Sequence, residues 1–159
     1  MAFMLLWTAL PAQVEENVDA LGPVTSKDVI YQIITDRFYD GDTSNNVPDG
    51  FDATLYDGTG DDLKLYQGGD WAGIIEKIPY LKGMGVTAVW ISAPYENRDT
   101  EIIDYQSDGS YDRWTSFHGY HVRNYFATNK HFGTLNEFKE LRDALRENGI
   151  KLIIDFVTN

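Results

Sequence analysis

The sequence predicts an α/β fold in which helices cover a parallel β-sheet. Three runs of mostly β-branched and apolar residues, at 29–34, 86–91 and 150–157, show no alternation with polar residues, which is typical of buried strands. Helical patterns separate these runs along the chain. The resulting order of strand, helix, strand, helix, strand is the signature of parallel strands joined by helical crossovers.

Both predicted helices have recognisable ends. Asp70 is placed to cap the first helix, which would end at Gly83. Thr134 and Glu137 have the spacing of a capping box for the second helix, and Asn148-Gly149 would end it. The predicted apolar faces comprise Ile74, Ile75, Ile78 and Leu81 in the first helix, and Leu135, Phe138, Leu141 and Leu145 in the second.

Long segments at 36–69 and 92–133 follow the first two strands, whereas the helix-to-strand connections are short. Segments of this length inside a compact domain are usually functional. Parallel α/β folds bind ligands at the carboxyl ends of their strands. We therefore expect the functional site at that edge, where Asp155 also lies.

Composition excludes several classes of function. The net charge of −12 argues against nucleic-acid binding, which needs clustered Lys and Arg. The absence of cysteine excludes thiol catalysis and zinc–thiolate sites, and leaves the cellular compartment open. A chain of 159 residues is too short for a closed eight-stranded barrel, which needs about 200 residues or more.

The N-terminal region, residues 1–26, is predicted to be a leader and a polar lead-in. Residues 1–12 contain an apolar run of the length of a signal-peptide core, but they lack its basic start. A hydrophobic leader of another kind is the alternative. We expect no membrane span, because that would need about 18 or more consecutive apolar residues.

An oxygen-rich loop follows the first strand. Asp40, Asp42, Asn45 and Asn46 lie close together in sequence, and Ca²⁺ prefers about six to eight oxygen ligands. A solvated turn is the alternative, because Asp, Asn and Gly also favour turns. If this loop folds back, Asp70 could complete a calcium shell in addition to capping its helix.

The second long segment contains Phe117-His118-Gly119-Tyr120-His121, whose polar rings could bind a sugar. A structural role is the alternative for these histidines. Asp155 ends an apolar run, where a carboxylate is costly to bury unless it is paired or functional. Further aromatic residues that could stack on sugars, or simply pack within the loops, are Trp71, Tyr95, Tyr105, Tyr111 and Trp114.

Five segments, taken in order, resemble the α-amylase superfamily of glycoside hydrolases. The 40–46 loop and Leu63-Lys64-Leu65-Tyr66 are most similar to cyclodextrin glucanotransferases and the related maltogenic amylases. The segments are Val-Ile-Tyr-Gln-Ile-Ile-Thr-Asp-Arg-Phe at 29–38, Tyr-Gln-Gly-Gly-Asp-Trp at 66–71, Gly-Met-Gly-Val-Thr-Ala-Val-Trp-Ile-Ser at 83–92, His-Gly-Tyr at 118–120 and Ile-Ile-Asp-Phe-Val-Thr-Asn at 153–159.

The resemblance implies that residues 27–159 are the N-terminal portion, with the first three strands, of an incomplete (β/α)8 TIM barrel. This partial catalytic domain would contain a calcium-binding loop at 40–70. The implied calcium ligands are Asp40, Asp42, Asn45, Asn46, Gly68 and Asp70, with Asn159 at a second calcium. The implied substrate-binding residues are His118, Tyr120, Asp155 and Lys64.

The resemblance also implies a secreted enzyme acting on α-1,4-glucans such as starch. Retaining enzymes of this kind use two carboxylates, a nucleophile and an acid/base. In this family both lie on later strands, so we expect no catalytic residue in this chain and no activity from it alone. The alternatives are a plain α-amylase and a non-catalytic calcium- or glucan-binding fragment. The expected partner is an α-glucan, with no nucleic acid and no membrane.

Overall fold

The computed structural model of the protein describes residues 21–158, so most of the predicted leader and Asn159 lie outside the described residues. The predicted export of the protein therefore stays a prediction. The elements are β1 (Ile30–Ile33), α1 (Trp71–Glu76), α2 (Ile78–Gly83), β2 (Ala88–Ile91), β3 (Tyr95–Asn97), β4 (Ile102–Tyr105), β5 (Tyr111–Trp114), β6 (Val122–Thr128), α3 (Leu135–Glu147) and β7 (Lys151–Ile154).

The predicted parallel sheet is confirmed. Strands β1, β2 and β7 pair in parallel and in chain order, so the described residues form an open sheet and not a closed barrel. The helices cover one face of this sheet. There Ile33, Val89 and Ile91 pack with Trp71 of α1 and Leu141 of α3 in a single apolar core, as expected for a layered α/β fold.

The strands, which were predicted to be buried, are buried on the face that the helices cover and partly exposed on the other face. Successive side chains of a strand point to opposite faces. Ile33 is 1% exposed on the helix side, whereas Ile30 and Trp90 are 48% and 36% exposed on the other side. Among the described residues, the helices cover only one face of the sheet. An apolar strand is therefore not buried on both faces here.

The first predicted helix divides into α1 and α2. Its cap is confirmed, because the Asp70 carboxylate accepts a hydrogen bond of 2.6 Å from the Gly73 N–H. The break lies at Lys77, just before Pro79. Proline lacks an N–H, and its ring would collide with the Ile75 carbonyl of a continuous helix, a signal that the apolar pattern alone does not show.

Helix α3 has the predicted ends. The Glu137 carboxylate accepts the Thr134 N–H at 2.6 Å, and Thr134 Oγ1 accepts the Glu137 N–H at 3.3 Å, which completes the capping box. Gly149 follows the helix with a φ of 75°, a conformation that favours glycine. Among residues 21–158, no helix is long and apolar enough to span a membrane.

The segment at 92–133, predicted as a loop, is a β-rich insertion. Strands β4 and β5 form an antiparallel hairpin, and β3 pairs antiparallel with β6. Asp108-Gly109 lies in the hairpin turn, between two runs with aromatic residues. That combination is a hairpin signal, so the hairpin could have been predicted from the sequence.

Candidate functional site

The structure brings three predicted substrate-binding residues together at the carboxyl ends of β2 and β7. The Tyr120 hydroxyl donates to Asp155 Oδ2 at 2.9 Å, and the Tyr120 N–H donates to His118 Nδ1 at 2.9 Å. The rings of His118 and Tyr120 stack with centroids 5.1 Å apart. Asp155 directly follows β7, where its N–H donates to the Ile91 carbonyl at 3.2 Å.

Both rings of this cluster are neutral hydrogen-bonding groups. Burial lowers the pKa of His118, and the nearby His121 and Arg37 lower it further. Because His118 Nδ1 accepts a hydrogen bond, the neutral ring carries its proton on Nε2. Burial, with a contribution from Asp155, raises the pKa of Tyr120 to about 12. The cluster therefore suits a neutral ligand rich in hydroxyl groups.

A tight turn at Gly119 sets the spacing of His118 and Tyr120. Gly119 has a φ of +84°, and a Cβ atom there would lie 2.5 Å from the Ala93 carbonyl oxygen. Only glycine combines this backbone conformation with so close an approach. The turn thus packs directly on the segment that leaves β2, which fixes both rings at the edge of the sheet.

Lys64, in the first long segment, lies apart from that cluster and packs against the β4–β5 hairpin. Its Nζ is 2.5 Å from Asp112 Oδ1 and 5.6 Å from the ring centroid of Trp114. The Lys64 carbonyl accepts the N–H and the hydroxyl of Thr115 at 2.9 and 3.1 Å. A groove of about 420 Å³ extends from His118 along the hairpin to Trp114, so the groove leads towards Lys64.

Asp70 folds the first long segment back, as predicted. Its Oδ1 accepts the N–H groups of Gly41 and Gly73 at 3.1 and 2.6 Å, and its Oδ2 accepts from the Asp42 N–H and Asn45 Nδ2 at 2.8 and 3.1 Å. Burial raises the pKa of Asp70, while these donors act in the opposite direction. The buried carboxylate therefore organises the loop around the start of α1.

Buried oxygens without a partner mark the centre of this loop. Within residues 21–158, Oδ1 of Asp40, of Asn45 and of Asn46 is buried and accepts no hydrogen bond. Asn46 Nδ2 donates to Asp40 Oδ2 at 2.7 Å, and a Cβ atom on Gly68 would lie 2.5 Å from Asn46 Oδ1. Unpaired buried oxygens are costly, and such oxygens are the ligands that Ca²⁺ prefers.

The donor set therefore fits calcium through amide as well as carboxylate oxygens. No group of three or more acidic or histidine side chains among residues 21–158 is arranged to hold a metal ion. Asp42 takes a capping position in which its Oδ1 accepts the Ser44 N–H at 2.9 Å. Its role as a ligand, and that of Asn159 outside the described residues, stay predictions.

Asp36 is a structural residue of the site that its position in the sequence did not reveal. It is 1% exposed, and its carboxylate accepts the N–H groups of Gln67 and Gly68 at 3.0 and 3.2 Å. Burial raises its pKa to about 6 against the opposing effect of Arg37. Asp36 thus ties the end of the oxygen-rich first long segment to the end of β1.

Arg37 joins the two long segments. Its guanidinium donates to the carbonyls of Leu63 and Leu65 at 2.8 and 3.0 Å, and lies 3.7 Å from the ring centroid of Phe117. Nε is also 3.1 Å from the Asp36 carboxylate. A charged pair directly after a buried strand was the available signal for this role. Arg37 therefore couples the oxygen-rich loop to the segment with His118.

Most of this chain is similar in sequence to proteins of known activity. A family model described as the alpha-amylase catalytic domain matches residues 32–159. The cyclomaltodextrin glucanotransferases of Thermoanaerobacterium thermosulfurigenes and Paenibacillus macerans are 52% identical over 136 residues and 48% identical over 159 residues, which is 84% and 98% of this chain. An alpha-amylase of Niallia circulans is 47% identical over 137 residues, or 84% of this chain.

Solved structures similar to this chain also include a cyclomaltodextrin glucanotransferase and an alpha-amylase. CldA, a cyclomaltodextrin glucanotransferase with three domains, has a TM-score of 0.72 and 41% identity over 81% of this chain and 25% of its own. An Anoxybacillus alpha-amylase has a TM-score of 0.62 and 33% identity over 81% of this chain and 23% of its own. The chain spans only 18%, 21% and 24% of the three relatives matched by sequence.

Proposed function

We propose, since this chain belongs to the α-amylase family, that it forms the N-terminal part of a retaining enzyme. This enzyme cleaves α-1,4-glucans and transfers the cleaved glucosyl chain to a sugar hydroxyl. The hydrogen-bonded cluster of His118, Tyr120 and Asp155 carries this proposal. It lies at the carboxyl edge of the parallel sheet, where enzymes of this architecture bind their substrates. It also opens onto the hairpin groove through His118.

In this proposal the described residues bind and orient the glucan. The Tyr120 ring packs against a glucose unit next to the cleaved bond, and the Nε2–H of His118 donates to one of its hydroxyl groups. Asp155 holds the Tyr120 hydroxyl in place at 2.9 Å. The nucleophile and the acid/base, which stand about 5 Å apart in retaining enzymes, come from strands that follow β7, so the chain alone is inactive.

Transfer is the first candidate because identity reaches 52% with a cyclomaltodextrin glucanotransferase. Identity alone does not separate transfer from hydrolysis, since another cyclomaltodextrin glucanotransferase and an alpha-amylase are both 47% identical. The two activities share the glucosyl-enzyme step and differ in whether a sugar hydroxyl or water completes the reaction. A plain α-amylase is therefore the second candidate, and product analysis separates the two.

We also propose that the 40–70 loop holds calcium. Support comes from the unpaired buried oxygens of Asp40, Asn45 and Asn46, together with the close approach of Gly68. A bound divalent cation would supply positive charge and satisfy these oxygens. Because Arg37 connects this loop to Phe117, the proposed role is to stabilise the segment that carries His118.

A starch assay tests the proposed function. The 159-residue chain and the protein that carries it together with the following strands are incubated with starch, with and without calcium, and products are separated by chromatography. The proposal expects activity, with cyclic products, from the longer protein alone. Linear products alone would favour the α-amylase alternative. Activity of the 159-residue chain would contradict the placement of both catalytic carboxylates on later strands.

A further inference from the structure

We infer that a cavity lined by Arg98, Thr100, His121 and Arg123 binds a phosphate monoester carried by the glucan. This inference rests on the proposed function and adds a class of substrate, the phosphorylated glucans, to it. The cavity lies where β3 ends and β6 begins, has a volume of about 500 Å³ and is also lined by Val122. Its lining contains cationic and hydroxyl side chains and no carboxylate.

The pairing of β3 with β6 brings these side chains together. Asn97, the last residue of β3, lies opposite Val122, the first residue of β6. Directly beyond this pair, the Arg98 N–H donates to the His121 carbonyl at 3.0 Å. Arg123 is the second residue of β6. Cationic groups from both segments therefore meet at one cavity.

Two hydrogen bonds hold the Arg98 guanidinium in a fixed orientation. Its Nε donates to Thr100 Oγ1 at 2.9 Å, and its Nη2 donates to the Glu101 carbonyl at 2.8 Å. Within the described part of the chain, Nη1 of Arg98 and the hydroxyl hydrogen of Thr100 have no acceptor, so both can donate to a ligand. A planar guanidinium that is already oriented matches two oxygens of a phosphate group.

The positive charges of Arg98 and Arg123 are not balanced by a carboxylate at contact distance. In the part of the chain that the structure describes, neither guanidinium forms a salt bridge. The Glu101 carboxylate pairs with Arg113 instead, and the charge of Asp99 acts on Arg123 only over a longer distance. In a chain with a net charge of −12, two such cations at one cavity indicate a site for an anion.

Charge and geometry favour a phosphate monoester over a carboxylate. A phosphate monoester carries a charge of about −1.5 to −2 at pH 7 and presents three strong acceptor oxygens. These oxygens can accept from both guanidiniums and from the Thr100 hydroxyl. A carboxylate has a single negative charge and two oxygens, which would leave one of the guanidiniums without a full partner.

His121 connects this cavity to the proposed glucan site. It lines both the cavity and the groove that contains His118, and the two imidazole rings have centroids 5.0 Å apart. Nδ1 of His121 is hydrogen-bonded to Ser116 Oγ at 2.8 Å, so Nε2 is the nitrogen left for a ligand. A phosphate on a glucan in the groove could therefore extend past His121 to both arginines. The occupant assigned to the cavity is accordingly an ester on the glucan.

Arg142 provides a matched control. It is an exposed arginine of α3 that pairs with Asp143 at 2.9 Å, outside the cavity. Arg142→Gln removes the same charge as Arg123→Gln, so it measures the general effect of net charge on the binding of an anion. Arg123 is exposed, and its side chain makes no hydrogen bond to any described residue. Its replacement should therefore leave the fold intact.

The test uses the protein that carries this chain together with the following strands, and measures affinities by isothermal titration calorimetry at fixed ionic strength. The probes are a maltodextrin with phosphate monoesters, the same maltodextrin after phosphatase treatment, and inorganic phosphate. The unchanged protein should bind the phosphorylated maltodextrin about tenfold more tightly than the treated one, as expected for a hydrogen bond between charged groups. Arg123→Gln should abolish most of this preference without changing the affinity for the treated maltodextrin. Arg142→Gln should keep the preference.

The outcomes separate this inference from the proposed function. Equal affinity of the unchanged protein for the two maltodextrins, or a preference that Arg123→Gln retains, would overturn the phosphate site while leaving the glucan site in place. Binding of inorganic phosphate that depends on Arg123, without a preference for the phosphorylated maltodextrin, would overturn the assignment to a glucan ester. Absence of binding to either maltodextrin would overturn the proposed function itself.

Two further measurements keep the test decisive if a variant fails to fold, which near-ultraviolet circular dichroism identifies. Arg98→Gln then replaces Arg123→Gln, and a full preference in that variant also overturns the inference. Competition needs no variant. Inorganic phosphate should weaken the binding of the phosphorylated maltodextrin and not that of the treated one, and an equal effect on both would overturn the inference.

Discussion

The hydroxyl of Tyr120 donates a hydrogen bond of 2.9 Å to Oδ2 of Asp155, across 35 positions of sequence. This bond joins the β-rich insertion to the end of β7. Its donor stays protonated, because the pKa of Tyr120 is raised to about 12. The orientation of the Tyr120 ring at the candidate site therefore depends on a carboxylate from another element.

Tyr120→Phe should lower kcat/KM on starch about ten- to a hundredfold, the range expected when a hydrogen bond to a charged group is lost. The aromatic ring is kept, so the variant tests the hydroxyl alone. Tyr125→Phe is the matched control, because the Tyr125 hydroxyl donates to the Val157 carbonyl instead. Similar kinetic losses in both variants would contradict a specific role for the Tyr120–Asp155 bond.

Calcium should raise the melting temperature of the unchanged protein, and chelation should lower it. A ligand that binds only the folded state at roughly a hundred times its Kd stabilises that state by about 3 kcal/mol. Asp40→Asn should abolish most of this response, because the unpaired Asp40 oxygen is part of the proposed shell. Asp49→Asn, at an exposed position of the same loop, should not. A melting temperature of the unchanged protein that does not change with calcium would contradict the proposed calcium site.

Asp28 and Lys151 should make stability depend on pH in the acid range. The carboxylate accepts from Lys151 Nζ at 2.8 Å and from the Thr87 hydroxyl at 2.9 Å, and the Lys151 contact is the main reason that the pKa of Asp28 lies well below its usual 3.8. A depressed pKa stabilises the folded state above 3.8, and this contribution is lost as pH falls towards the folded-state value. Asp28→Asn should therefore flatten the acid limb of melting temperature against pH. An unchanged slope would contradict this.

Gly73→Ala and Gly83→Ala should have opposite effects on the free energy of unfolding. Alanine in a helix is normally about 1 kcal/mol better than glycine. A Cβ atom on Gly73 would lie 1.9 Å from the Tyr39 carbonyl oxygen, whereas nothing lies within 4 Å of one on Gly83. Urea unfolding should show Gly73→Ala destabilised by about 2 kcal/mol or more and Gly83→Ala unchanged or slightly stabilised. Equal effects would mean that α1 tolerates a side chain against Tyr39.

The parallel sheet was predictable because its strands are continuous apolar runs, and α3 because both its ends carry capping residues. The division at Lys77 was not read from the apolar face, since Ile74, Ile78 and Leu81 keep helical spacing across it. Pro79 alone carries that information. Apolar runs and capping residues thus predict where the strands and helices lie, and the backbone constraint of Pro79 divides a helix that the apolar pattern predicts as continuous.

The candidate site was predictable in its residues and less so in its arrangement. His118, Tyr120 and Asp155 were identified and do lie together, whereas Lys64 lies with the hairpin. The charged pair after β1 marks Arg37 as a residue with a role, but its partners Leu63 and Phe117 could not be deduced, because these contacts join segments far apart in sequence. Contacts of this kind depend on tertiary packing and produce no periodic pattern in the sequence.

Strands β1, β2 and β7 stand in the sheet in the same order as in the chain. Each strand therefore docks on the edge left by the one before it, and none has to insert between two that are already paired. During synthesis on the ribosome, where N-terminal segments emerge first, this sheet can be assembled strand by strand. In the described sheet the outer edge of β7 pairs with no other strand, so it is the edge on which a further parallel strand could dock.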